Sequence, residues 1–227
     1  MAIESFPVLS ALWQWSPALV AGFGQNILIS LLAIAIGSAL GLLIGALALS
    51  PLGFVGRLWV QVFRNAPWLV LIYFTTYVFP FEIHIGSSYV SFPDWVKVTI
   101  GLALPASANV AEIFRGAISS IPSTQWEAAR SLAFTRGQLF RSIILPQCFK
   151  RMLPPWMNLY AVVTMGTALA SLVGVHDVID TAQIASNTVN LTGFTVVIYL
   201  SLLVLFFAYC YPISRLTQHL ERRYAFY

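Results

Sequence analysis

Charge is scarce in this chain of 227 residues: Asp, Glu, Lys and Arg make up only 9% of it, against roughly 25% in a soluble domain. The net excess of +4 is spread over separate loops, which argues against a nucleic-acid partner and for membrane topology. Cysteine is nearly missing. Cys148 and Cys210 make neither a disulfide framework nor a metal-ligand spacing, and both are expected to be reduced. His84, His176 and His219 lie far apart, so no metal site is expected from them. No G-x-x-x-x-G-K-[ST] run occurs, so the chain has no P-loop for ATP phosphates. No clustered nucleophile and base suggest an intramembrane enzyme, and neither catalysis nor a bound cofactor is expected. The first 18 residues hold no Lys or Arg, so a secretory signal is not expected there. Trp13 and Trp15 fit a short interfacial helix better.

What the chain has is apolar length. Apolar residues reach 59% and the mean hydropathy is +0.81. Five all-α spans are expected, at about 22–49, 58–80, 95–117, 156–175 and 194–213, within one membrane domain covering 1–227. Gly37, Gly41 and Gly45 in the first span have the small-xxx-small spacing that lets helices approach closely in lipid. Pro51 and Gly53 read as a tight turn in the link from Ser50 to Gly56, and Arg64 sits in the first turns of span two, where it can snorkel. With the N-terminus outside, eleven of the twelve basic residues face the cytoplasm and only Lys97 does not. The inverted arrangement violates the positive-inside rule.

Between spans three and four lies a polar stretch, Ile121 to Gln147, carrying Glu127, Arg130, Arg136 and Arg141. Pro122 suits a helix entry, and Thr124 with Glu127 reads as a capping box. Ala128 and Ala129 leave a nearly flat face. Gly137 permits a turn, Leu139, Phe140, Ile143 and Ile144 pattern a second short helix, and Pro146 is expected to end it. The shape suits docking onto a partner; the plainer alternative is an amphipathic helix lying on the bilayer.

The wording of this stretch resembles the cytoplasmic signature of bacterial ABC importer permeases: Glu127-Ala128-Ala129, then Ile143-Ile144-Leu145-Pro146. Its flanks, Ala111 to Gly116, Ile121-Pro122, Gln125 and Pro146-Gln147, are similar to the polar amino acid (His/Glu/Gln/Arg/opine) permeases. Arg64 to Pro67 resembles the family's R-x-x-P, and the likeness runs from about Gly22 to Arg223. It implies a type I importer fold in the bacterial inner membrane, with an EAA loop of coupling helices seated on an ATPase. It also implies two ATP-binding cassette subunits that bind ATP and Mg, a second permease and a periplasmic or tethered substrate-binding protein. Glu127, Ala128, Ala129, Arg130, Leu132, Ala133 and Phe134 are the expected coupling residues. Two departures stand out. Ala133 occupies the usual Gly place, so a left-handed bend is expected to be shifted or the contact loosened. Met165-Gly166-Thr167 replaces a frequent Lys-Asp-Thr run, which suggests the weaker half of a non-identical permease pair.

Intramembrane polar residues mark pathways or helix contacts. The pathway candidates are Ser107, Asn109, Thr164, Thr167 and Ser171. Each hydroxyl has the alternative of bonding back to its own helix, and Asn109 divides between a pocket and a helix–helix bond. Glu112 is read as an ion pair with Arg115 rather than as a substrate ligand. Asp177 and Asp180 are spaced for acid–base work, but an outer loop end meeting a binding protein fits them better. The expected substrate is a polar amino acid. Another small solute, such as an opine, and a structural or regulatory membrane protein without transport remain alternatives.

Overall fold

The protein's structure, a computed structural model, describes residues 5–48, 51, 53–80, 82–85 and 88–224. Helix α1 runs unbroken from Ser5 to Ala48. The expected separate N-terminal helix is therefore continuous with the first span. At 1.5 Å per residue its 44 residues extend about 66 Å, well beyond a hydrocarbon core of about 30 Å. Pro17 lies inside it, and a proline there leaves the carbonyl four residues back without its amide. The Ser16 hydroxyl donates to that carbonyl, Trp13 O, at 2.8 Å, so the helix passes through Pro17 with the group satisfied.

The span expected at 58–80 is divided. Helix α2 (Gly53–Asn65) stops before Pro67, and α3 (Trp68–Val78) restarts after it. A residue preceding proline is disfavoured in helical conformation, which places the break at Ala66. Gly53 and Gly56, expected in a turn, are helical, while Ser50 and Leu52 lie outside the described residues. The link between the expected spans 58–80 and 95–117 holds a hairpin, β1 (Glu82–Ile85) antiparallel to β2 (Ser88–Ser91), with Glu82 opposite Ser91. The fold is thus helical with one two-stranded ribbon among the described residues.

Helix α4 (Asp94–Ser119) is the hub, with buried residues along most of its length. Small residues let α1 pack directly on it: a Cβ at Gly41 would lie 2.5 Å from Ser107 O, one at Gly37 2.7 Å from Ala106 Cβ and one at Gly45 2.8 Å from the Phe114 ring. At the start of α4, the buried Lys97 ammonium donates to the Asp94 carboxylate at 3.2 Å. After the polar stretch, α5 (Ser123–Ser131) and α6 (Arg136–Leu139) lead through a π turn at Phe140–Ile144 into α7 (Leu145–Gly166). Pro146 does not end a helix, as expected above, but stands in the first turn of α7. The Leu145 amide reaches back five residues to Phe140 O, and the widened turn gives the proline ring room.

A 3₁₀ segment (Thr167–Val173) follows α7, α8 (Val178–Val189) comes next, and α9 (Thr192–Tyr224) ends in a basic last turn. Four helical stretches are long and apolar enough to cross a membrane: Val8–Ala48, Asp94–Ser119, Arg136–Val173 and Thr192–Tyr224. The divided α2–α3 segment runs antiparallel to α4, with Trp59 beside Ser107 and Ile72 beside Gly101. Indole donors join the bundle: Trp59 Nε1 to Ser107 Oγ at 3.0 Å, and Trp156 Nε1 to Ser38 Oγ at 2.8 Å.

Candidate functional site

The polar stretch folds as two short helices around one strained residue. Helix α5 begins with Pro122 in the capping position and no side-chain cap, so the expected Thr124–Glu127 box is not formed. Buried Ile121 and the fixed φ of Pro122 set the helix start earlier, which puts Thr124 inside the first turn. A capping box does occur one helix later. The Gln138 amide donates to Thr135 Oγ1 at 3.4 Å, and the Thr135 amide donates to Gln138 Oε1 at 3.0 Å.

Between these helices Ala133 adopts φ 59°, in the left-handed region. Its amide donates to Arg130 O at 2.9 Å and the Phe134 amide to Ala129 O at 3.2 Å. That pair of bonds is a Schellman motif, which glycine usually closes. The expected shift of the bend does not occur. Ala133 takes the conformation directly, at a cost of about 1–2 kcal/mol.

The seven residues singled out here separate by face. Ala129 is buried with Ala117, Ile121, Leu139, Ile144 and Cys148 in a small cluster under the helices, so its methyl packs inward. Glu127, Ala128, Arg130, Leu132, Ala133 and Phe134 are exposed. Leu132 is 72% exposed, immediately before the bend. Beside it, a cavity of about 800 Å³ lies among Trp126, Arg130, Phe134, Arg136, Leu139 and Phe140. Arg151 holds the base of this region, donating from Nη1 to Ser120 O at 2.7 Å and to Ser120 Oγ at 3.0 Å. A cation at the carboxyl end of α4 also complements that helix's dipole.

No two of the five pathway candidates join side chain to side chain among the described residues. Ser107 is buried, donates to Leu104 O at 2.6 Å and accepts the Trp59 indole. Asn109 donates to Pro105 O at 2.8 Å, Thr164 to Tyr160 O at 3.0 Å and Ser171 to Ala168 O at 3.1 Å, each within its own helical segment. Thr167 donates to Thr164 O at 2.7 Å and accepts from elsewhere. Glu112 pairs with Arg115 through two hydrogen bonds, one of 3.0 Å from Nε, and lies 3.8 Å from Arg64 Nη1.

Sequence reasoning missed a buried polar cluster at the opposite end of the bundle. Asn26 of α1 donates from Nδ2 to Thr167 Oγ1 at 3.1 Å and to Asp177 Oδ2 at 3.0 Å, and its Oδ1 accepts the Val178 amide at 3.1 Å. Asp177 is fully buried and caps α8 by accepting the Asp180 amide at 2.9 Å. It is therefore not the surface acid the loop reading expected, and Asp180 pairs instead with His176 at 2.7 Å. Burial pushes the Asp177 carboxyl above its ordinary range, against the donors from Asp180, Asn26 and Ile179, while the Asp180 charge adds to the rise. The signal was available: Asn26 is an amide within an apolar run, the same reason Asn109 was singled out. Gly166 has a packing role beside this cluster. A Cβ there would lie 2.9 Å from the Trp68 ring.

The model of the family described as "Binding-protein-dependent transport system inner membrane component" matches residues 37–226. The probable amino-acid ABC transporter permease protein YckA of Bacillus subtilis is 31% identical, over 100% of this chain and 93% of its own. The octopine transport system permease protein OccM of Rhizobium meliloti is 33% identical over 78% of this chain and 75% of its own. Among solved structures, the crystal structure of an amino acid ABC transporter with histidines superposes with a TM-score of 0.82. Its identity is 27%, over 93% of this chain and 96% of that one.

Proposed function

This chain belongs to the family of binding-protein-dependent transport inner membrane components, and from that premise we propose that it is a polar amino acid importer's permease subunit. It works with two ATP-binding cassette subunits, which bind ATP and Mg, and with a substrate-binding protein at the outer face. The α2–α3 segment supplies a fifth traverse beside the four long helices. The N-terminus lies outside and the C-terminus in the cytoplasm, a reading supported by the basic residues near the α5–α6 end.

The observation that carries the coupling role is Leu132. An apolar side chain 72% exposed, on a polar segment between membrane helices and beside a strained bend, lacks an internal purpose. A groove on an ATPase gives it one. Glu127 and Arg130 supply polar anchors, Ala128 a close-approach face, and Leu132 with Phe134 the apolar insert. Ala129 holds the helix to its base from within. Motion at this tip passes to α4 and α7 through Arg151 and the buried cluster. Ser107, Asn109, Thr164, Thr167 and Ser171 remain the proposed polar lining near the pathway, acting after helices separate from their present bonds. The Trp68 ring packs against Gly166, which stands where the resemblance leads to the Asp of a Lys-Asp-Thr run, and this supports the weaker-half reading of a non-identical permease pair. Similarity to an octopine permease keeps an opine as the second substrate reading.

The test is co-purification in mild detergent of this chain expressed with its chromosomal neighbours. Recovery of an ATPase and a second, different permease is the expected result. An ATPase with two copies of this chain removes the asymmetry. Recovery of no ATPase, under conditions that preserve related complexes, overturns the coupling role.

A further inference from the structure

Beside the α5–α6 end, α1, α2 and α4 enclose a cavity of about 480 Å³. Arg57, Arg64 and Arg115 line it, with Glu112 as the carboxylate among its lining residues. Glu112 is engaged by Arg115 through two hydrogen bonds and stands 3.8 Å from Arg64. Arg57 has no carboxylate within salt-bridge distance among the described residues. Two positive charges are left in excess within one concave site, and such a site favours an anion rich in oxygen acceptors.

The helix that supplies two of these arginines has a second face. Phe54, Leu58 and Val62 follow one another at four-residue steps along α2, and all are exposed, at 68%, 48% and 51%. Arg57 and Arg64, seven apart, stand on the cavity face. Gly53 and Gly56 press α2 onto the end of α1, while Arg57 and Arg64 on one face and Phe54, Leu58 and Val62 on the other are exposed. Basic and apolar faces side by side at the end of a traverse place headgroups at the cations and acyl chains along the apolar stripe. A zwitterionic solute fits less well, because its ammonium would need a carboxylate and Glu112 is already engaged.

We propose that this cavity is a phosphate-recognising site for an anionic phospholipid, whose headgroup is held by Arg57 and Arg64 while its chains lie along Phe54, Leu58 and Val62. The site rests on the orientation given under the proposed function only in assigning the lipid to the cytoplasmic leaflet. Lipid at this site anchors α2 to the bilayer just before the Pro67 break, at the base of the divided traverse. The resting position of the α2–α3 hinge then depends on membrane composition.

The test is native mass spectrometry of the full chain in detergent, titrated with short-chain phosphatidylglycerol, phosphatidylcholine of the same chain length, or inorganic phosphate. Phosphatidylglycerol should be retained at least tenfold better than phosphatidylcholine. Binding should weaken about fivefold for each of Arg57→Gln and Arg64→Gln, be restored by the lysine variants, and tighten in Glu112→Gln. A tightening in E112Q is a readout that a purely structural role would not produce. Retention of both lipids alike, or insensitivity to Arg57 and Arg64 in variants with unchanged melting, overturns the site. Displacement of the lipid by millimolar inorganic phosphate overturns the lipid assignment. The detergent measurement is independent of sidedness, so a C-terminal reporter fusion scores the orientation separately: an external C-terminus moves the site to the outer leaflet without abolishing binding.

Discussion

The two ends of the helical bundle have opposite economies of polar groups. At the Asn26 end, one amide, one hydroxyl and one carboxylate satisfy each other and the amino end of α8, all out of solvent. At the α5–α6 end, Leu132 stands in solvent, Ala133 is strained, and Arg57 and Arg64 face an open cavity. A closed network holds helices together by itself, whereas an open, strained one waits for a partner. The contrast indicates where this chain is self-sufficient and where it is built to be completed.

Breaking the closed end should have the largest effect. Asn26→Leu keeps the branched shape but leaves the Val178 amide and Asp177 carboxylate short of partners, and should cost about 3 kcal/mol. A large fall in melting temperature in detergent checks it; an unchanged melt would mean that water or rearrangement replaces the amide. At the open end the opposite behaviour is expected. Leu132→Asp should leave the melt unchanged while lowering ATPase co-purification at least tenfold, a loss of about 1.4 kcal/mol. Equal recovery of the ATPase would show that the contact lies elsewhere.

A smaller change sharpens the comparison. Ala133→Gly relieves the left-handed strain, less the extra freedom glycine has when unfolded, for a net gain of about 0.5–1 kcal/mol. A lowered melt would show that the bend is held by something other than its backbone bonds. The smallest effect is in pH. A carboxyl raised by burial favours its protonated form in the folded chain. Its contribution to stability is full below the ordinary aspartate range, near about 3.9, and is lost as pH rises through the folded value. Melting curves between pH 4 and 8 should therefore fall more steeply with pH in the native chain than in Asp177→Asn. Parallel curves would remove Asp177 as the source.

Much of this was legible in the chain. Long apolar runs led to helices because lipid leaves a backbone few alternatives. The glycine stripe of α1 foretold close packing on α4 because a missing Cβ is a local property. Legibility failed where two segments compete for the same function. Thr124–Glu127 and Thr135–Gln138 both spell a capping box, and only the packing of Ile121 and the reach of the Ala133 bend select the second. Pro146 spells an ending, yet a π turn absorbs it.

By itself the sequence determined that this protein is a helical membrane protein with a polar stretch between its apolar segments, and the wording of that stretch carried the resemblance to importer permeases. Apolar length and polar interruption are matters of composition and spacing along one strand of chain. The tertiary structure decided which alanine of the pair faces inward, that Ala133 bears the bend, that Gly166 makes room for Trp68, and that Asn26 meets Asp177 across 151 positions. Such choices depend on what arrives from elsewhere in the chain, and a buried polar atom has no favourable state until that partner is in place.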